Sequence, residues 1–255
     1  MDITQTFYDS LASAYDKLFL DWNAATHEQA AILDRIFRDN GFDPSASVLD
    51  CACGIGTQSV GLAALGYPIT ASDISDAELK EAAKRAAEHR VSLRLEHADF
   101  CALSHTFPET FDIILCMDNA LPHMLSRDAL AAAIASITGR MKDGGIFVAS
   151  IRDYDALLLQ KPPYSPPYIH KTENGRRVSF QVWTWEEDRY QLIQYIIDDG
   201  DVLQTSKFEC EYRATRRAEI TDLLRSCGCS QVNWLFPEET DFYQPIVVAR
   251  KQVKI

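Results

Sequence analysis

Residues Val48 to Asp73 read VLDCACGIGTQSVGLAALGYPITASD, and their types and spacing suit the holding of a small molecule. Gly54 and Gly56 follow a short apolar run that ends in Asp50. Glycine at such a point permits a tight turn and lets backbone approach a ligand closely. A second strand, YPITASD, ends in Asp73, about where an acid can accept hydrogen bonds from ribose hydroxyls. A ligand with a ribose is therefore expected. A dinucleotide fingerprint would read G-x-G-x-x-G/A, but here the third small position is Ser59. A carboxylate at Asp50 would also repel a pyrophosphate held at a helix N-terminus. It suits a ligand that carries an ammonium group.

The elements that position these residues follow a β-α-β-α pattern from residue 46. SVLDC is a short strand, TQSVGLAALG a helix closed by Gly66, and YPITASD a second strand. SDAELKEAAKRAAEHR is a helix with Ser75 or Asp76 as N-cap and Glu78 in support. SLRLEHAD alternates as a strand. FDIILCMD and GIFVASIRD are continuous apolar runs, as buried parallel strands are, with the helix SRDALAAAIASITGRMKDGG between them. Strands separated by helices imply an α/β, doubly wound parallel sheet, whose ligands bind at the carboxyl ends of the strands. Before it, residues 2–40 read as two helices, with Ala30, Leu33, Ile36 and Phe37 on one stripe and a stop at Asn40-Gly41. After it, LLLQKPPYSPPYIHKTENG is Pro-rich and loop-like. Residues 176–213 alternate as antiparallel strands with a turn at Asp199-Gly200. RRAEITDLLRSCG is a helix, and QVNWLFPEE and FYQPIVVARK are two last strands.

The chain has 255 residues, a formal net charge of −12 and 47% hydrophobic residues, enough for one substantial core. The acidic balance argues against a nucleic-acid or anionic-membrane surface, which needs a basic field. Seven cysteines include the C-x-C pairs Cys51/Cys53 and Cys227/Cys229. A zinc site usually pairs two C-x-x-C units, so reduced cysteines and no metal are expected. The start, MDITQTFYDS, has no basic region followed by an apolar run, so no signal peptide is expected. Cys51 to Ser72 is uncharged, but polar residues and proline interrupt it as a membrane span. A cytoplasmic protein is expected.

S-adenosylmethionine has an amino-acid end, a ribose and no phosphate. The spacing D-x-A-C-G-x-G-T, with Asp73 and with Asp99 in HADF, resembles the class I S-adenosylmethionine-dependent methyltransferases. Ala52 stands where many relatives have glycine. DCACGIGT, CMDNALPHML, GGIFVASIRDYDALL, CEYRATRRAEITDLL and FYQPIVVAR are similar to the glycine/sarcosine N-methyltransferase branch. The resemblance implies a Rossmann-like, seven-stranded, mostly parallel sheet with an antiparallel insert after the fifth strand. It implies a helical lid over 1–45, a cofactor-binding core over 46–155 and 214–255, and a substrate cap over 156–213. Asp50, Ala52, Gly54, Gly56, Asp73 and Met117 would hold S-adenosylmethionine. Asp99 would face the adenine amino group, with Phe100 and Ile74 flanking the ring. Tyr15 and Trp22 of the lid either face the sulfonium, whose charge favours a π-face, or pack the helices onto the sheet. The family pattern includes a basic residue on this lid for the cofactor's carboxylate; here the first arginine is Arg35.

For the acceptor, the resemblance places Arg152 on a carboxylate, which its planar fork matches. The other reading of Arg152 is a salt bridge to Asp153, Asp155 or another acid. Asn119 and His123 match positions lining the acceptor site, and Tyr212 lies over the acceptor or packs at its rim. The expected reaction is N-methylation of glycine, sarcosine or a similar small carboxylated amine by one in-line displacement. Solvent, His123 or a tyrosine would take the amine's proton. Another small-molecule acceptor is the alternative. KPPY at 161–164 is a poor match to a nucleic-acid amino-methylation motif, since Lys161 replaces Asp or Asn. Asp50 and Ser59 disfavour a nicotinamide oxidoreductase. A non-catalytic module would bind cofactor without turnover. Oligomeric state is not legible in the sequence.

Overall fold

The computed structural model describes residues 3–253. The N-terminal segment folds in three pieces rather than two helices: α1 (Ile3–Leu11), a 3-10 turn over Ala12–Leu18, and α2 (Trp22–Asp39). Asp21 caps α2 by accepting from the Ala24 amide at 3.0 Å. Ala30, Leu33, Ile36 and Phe37 are all buried, so the apolar stripe faces the sheet. The helix stops at Asn40, and Gly41 takes the left-handed backbone that follows.

The core alternates as read. Strands β1 (Val48–Asp50), β2 (Ile69–Asp73), β3 (Arg94–His97), β4 (Phe111–Cys116) and β5 (Met141–Ser150) run parallel. Helices α3 (Thr57–Ala64), α4 (Asp76–Glu88) and α5 (Arg127–Gly139) connect them. β1 and β2 are buried along their whole length, as central parallel strands must be. Gly61 in α3 sits so close to α2 that a Cβ there would meet the Thr26 carbonyl at 2.5 Å. After β5 come α6 (Tyr154–Gln160), then β6 (Tyr168–Thr172), β7 (Gly175–Glu186), β8 (Arg189–Asp199) and β9 (Leu203–Arg213). The chain returns through α7 (Arg217–Ser226), β10 (Cys229–Leu235), α8 (Pro237–Thr240) and β11 (Ile246–Lys251).

The main sheet has seven strands in the order β10-β11-β5-β4-β1-β2-β3, with β11 antiparallel to both neighbours. The second sheet is antiparallel, in the order β6-β7-β8-β9. The Pro-rich stretch is not all loop. Asp153 caps α6, and β6 starts after Pro166-Pro167 at a sheet edge, where missing donors cost no ladder bonds. Ser75 caps α4 by accepting from the Glu78 amide at 3.1 Å, but Glu78 does not return the bond. The Ser75 amide donates to Asp73 instead, at 3.0 Å. The Glu78 carboxyl is buried without a hydrogen-bond partner among the described residues, and burial raises its pKa well above the usual range.

Candidate active site

The loop between β1 and α3 turns at Gly54 (φ +51°) and Gly56 (φ +88°), both in the left-handed region that favours glycine. The turn brings the Gly54 amide 2.9 Å from Asp73 Oδ2 at the end of β2. Asp73 Oδ1 accepts from Ser75, so two backbone donors fix this carboxylate. Burial raises its pKa against those bonds. Above it lies a cavity of about 380 Å³.

Tyr15, Ala52, Gly54, Asp73, Ile74, Asp99, Phe100, Met117 and His123 line this cavity. Asp99 also caps the 3-10 turn that begins at Phe100, accepting from the Cys101 amide at 2.8 Å. Three expected cofactor residues do not line it. Gly56 only shapes the turn; a Cβ there would meet Val60 and Ala82 at 3.3 and 3.4 Å. Asp50 lies wholly buried behind the loop, bonded to Ser59 Oγ at 2.7 Å. Trp22 packs helices: its indole N–H donates to Thr57 Oγ1 at 3.0 Å, and Arg85 covers its ring at 4.3 Å. Arg35 donates to the Thr240 carbonyl at 2.7 Å, and Lys17 pairs with Asp198 at 3.0 Å, so neither basic residue lines the cavity.

Among the described residues no lysine or arginine lines this cavity, while Asp73, Asp99, Asp118 and Glu211 do. A pyrophosphate would find acids and no cation there. A ligand with a ribose, an adenine and a net positive charge fits. That is the chemistry of S-adenosylmethionine.

A second cavity, of about 1020 Å³, adjoins the first and shares Tyr8, Tyr15 and Asp118 with it. Asn119, Arg152 and Tyr212 line it. Arg152 follows β5 at its carboxyl end. It donates to the Tyr190 hydroxyl at 3.1 Å and to Gln181 Oε1 at 2.9 Å, and lies 5.0 Å from the Trp183 ring and 5.6 Å from the Tyr212 ring. Among the described residues no carboxylate pairs with it. The adjacent acids are taken: Asp153 pairs with Arg217, and Asp155 with Arg216 and Arg217. A guanidinium carries five N–H donors, so three remain. Asn119, with φ +71°, accepts from the Arg152 amide at 3.1 Å and the Tyr154 hydroxyl at 3.0 Å; its buried amide nitrogen has no hydrogen-bond partner among the described residues.

His123 lines the first cavity, and its Nε2 lies 2.9 Å from the Tyr8 hydroxyl and its ring 4.2 Å from that of Tyr212. The sequence reading missed Tyr8, Asp118 and Tyr243. Asp118, with φ +55°, sits between the cavities and accepts from Tyr243 at 2.7 Å and from Gln58 at 2.8 Å. Burial raises its pKa against both bonds. Burial likewise lifts Tyr8, Tyr15, Tyr154, Tyr212 and Tyr243 well above 10, so these hydroxyls stay protonated near neutrality. The acid in MDNAL, directly after an apolar strand, was the available signal for Asp118. The seven cysteines form no disulfide, and no group of metal-ligating side chains is found among the described residues. No helix among them is long and apolar enough to cross a membrane.

Residues 48–145 match a methyltransferase domain family. The chain is similar to the glycine/sarcosine N-methyltransferase of Parasynechococcus marenigrum, at 25% identity over 98% of this chain and 86% of that one. It is 29% identical to the glycine N-methyltransferase of Rattus norvegicus, over 88% of this chain and 82% of that one. Among solved structures, an S-adenosylmethionine-dependent methyltransferase from Clostridium acetobutylicum superimposes with a TM-score of 0.74 at 20% identity, over 97% and 99% of the two chains. The protein is an S-adenosylmethionine-dependent methyltransferase. Within that class it resembles the glycine/sarcosine N-methyltransferase branch.

Proposed function

We propose that this enzyme methylates the nitrogen of a small carboxylated amine, glycine and sarcosine being the simplest. The observation that carries the reading is Arg152, a guanidinium in the second cavity with no carboxylate partner among the described residues and donors to spare. The relatives' names support it.

Bound in the first cavity, S-adenosylmethionine supplies a methyl on a sulfonium, a good leaving group. In this reading Asp73 accepts from the ribose hydroxyls. Asp99 faces the adenine amino group, with Phe100 and Ile74 beside the ring. Ala52, Gly54 and Met117 shape the wall, and Tyr15 offers a π-face to the positive charge. Gly56 and Asp50 act through the loop behind it. Arg152 forks the acceptor's carboxylate, and the unpartnered Asn119 amide donates beside it. Tyr212 and His123 close the acceptor's other side.

An ammonium cannot attack a methyl, so the amine first sheds a proton. Asp118 borders both cavities and takes it: one N–H bond breaks and one carboxyl O–H bond forms. Alignment and exclusion of water do the rest. The lid over 1–45 and the cap over 156–213 provide them above the core of 46–155 and 214–255. The first two and last two residues of these ranges lie outside the described residues. Among the described residues Arg152 is the one lysine or arginine lining the two cavities, which favours a small-molecule acceptor over nucleic acid. Seven cysteines without a disulfide suit a reducing cytoplasm.

The test is Arg152→Ala with S-adenosylhomocysteine release as readout, on glycine, sarcosine and dimethylglycine. Turnover should fall at least tenfold while the Kd for S-adenosylhomocysteine stays within twofold. An equal loss of both would remove Arg152 from the acceptor site.

A further inference from the structure

We infer that the acceptor is an amino acid with an apolar side chain, its carboxylate on Arg152 and its arm in the wide part of the second cavity. This rests on the reading of Arg152 given above. The cavity holds about 1020 Å³. Glycine has five heavy atoms and fills on the order of 150 Å³, taking a water-sized ~30 Å³ for each. The cavity is instead of the size that takes a drug-sized ligand.

Its walls indicate what fills the remainder. Leu11, Leu18 and Phe19 come from the N-terminal segment, Leu157 from α6, and Phe180 and Trp183 from β7. The charges fix the orientation. Among the described lining residues Arg152 is the one base, while Asp21, Glu28, Asp118, Asp153 and Asp241 are acids. One carboxylate has a place to sit. A second would face acids with no cation beside it, so an acidic side chain is rejected. Each methylene buried against the apolar wall favours binding by roughly fourfold.

The experiment measures kcat/KM from S-adenosylhomocysteine release by the full chain. The acceptors are glycine, sarcosine, leucine, phenylalanine, glutamate and phenethylamine, which is phenylalanine without its carboxylate. Leucine and phenylalanine should exceed glycine at least tenfold, and glutamate should fall below it. Glycine or sarcosine equal to or above leucine would overturn the inference and leave the Arg152 reading standing. Phenethylamine equal to phenylalanine would overturn both, as would no turnover on any acceptor while S-adenosylhomocysteine still binds. A second variant narrows the arm's chamber. Ala156 lines it from α6, half-buried. Ala156→Phe should cut phenylalanine turnover at least tenfold with S-adenosylhomocysteine affinity unchanged. Unchanged phenylalanine turnover would overturn the inference.

Discussion

The Tyr8 hydroxyl lies 2.9 Å from Nε2 of His123, joining α1 to the turn after β4 across 115 residues of chain. His123 in turn lies against Tyr212 of β9, at 4.2 Å between rings. The N-terminal segment, the core and the second sheet thus meet in three side chains at the cavities. Neighbouring ties hold the same segment: Asp9 accepts from Ser75 Oγ at 2.6 Å, and Asp16 pairs with Arg85 at 3.2 Å.

The Tyr8 bond should therefore help keep the cofactor enclosed. Tyr8→Phe retains the ring and deletes the hydroxyl. One such bond contributes about 0.5–1.5 kcal/mol, so the Kd for S-adenosylhomocysteine should rise roughly two- to twelvefold. Isothermal titration reads this directly. An unchanged Kd would mean that α1 closes the cavity without that bond.

Asp73 should matter more. Its carboxylate already holds the Gly54 and Ser75 amides, so it fixes the loop as well as facing the cavity. Asp73→Ala should weaken S-adenosylhomocysteine binding by more than tenfold, since hydrogen bonds to a charged group are worth about 1.5–3 kcal/mol. A Kd within twofold of the wild type would take Asp73 out of the site.

How much of this was legible in the sequence follows from chain distance. β4 and the second half of β5 were readable because parallel strands buried on both faces are continuous apolar runs, and β1 and β2 because they alternate with helices. The ends of β1 and β2 then located Gly54 and Asp73. The pairs Tyr8–His123 and Tyr243–Asp118 were not readable, because no local period reports a contact 115 or 125 residues away. The same holds for Arg152. Two acids stand within three residues of it, and the arginines that occupy them lie more than 60 residues on. Trp22 shows the converse limit. An aromatic residue on a lid reads alike whether it faces a ligand or, as here, Thr57 and Arg85.

Asp118 should set the acid side of the pH–rate profile. A base works only ionised, and burial raises the Asp118 pKa. Wild-type turnover should therefore fall as pH drops through that raised pKa. Asp118→Asn removes the acceptor for the proton and should lower kcat roughly 100-fold at neutral pH, within the usual range for a general base. The variant's profile should also lack the limb due to Asp118. Rates from pH 5 to 9 at saturating cofactor decide it; a variant with the wild-type profile would assign the proton to solvent.

Asp50 should tie stability to pH in the unusual direction. It is wholly buried, with one oxygen on Ser59 and the other without a hydrogen-bond partner among the described residues. Burial pushes its pKa up to about 7, against the bond from Ser59. In the unfolded chain an aspartate titrates near ~3.9. Between these values the folded protein keeps a proton that the unfolded chain has released. The stability tied to that proton is fully present below about pH 4, is lost as pH rises to about 7, and is constant above. The loss is on the order of 4 kcal/mol. Asp50→Asn keeps an acceptor for Ser59 and carries no charge, so the variant's stability relative to wild type should climb from pH 4 to pH 7 and then level off. Any fixed cost of seating the amide shifts that difference by a constant, so its slope is the readout. Urea unfolding of the ligand-free protein at pH 4, 5, 6, 7 and 8 measures it. A flat difference would show that Asp50 ionises in the folded state as freely as in the unfolded one, with the loop opening to admit water.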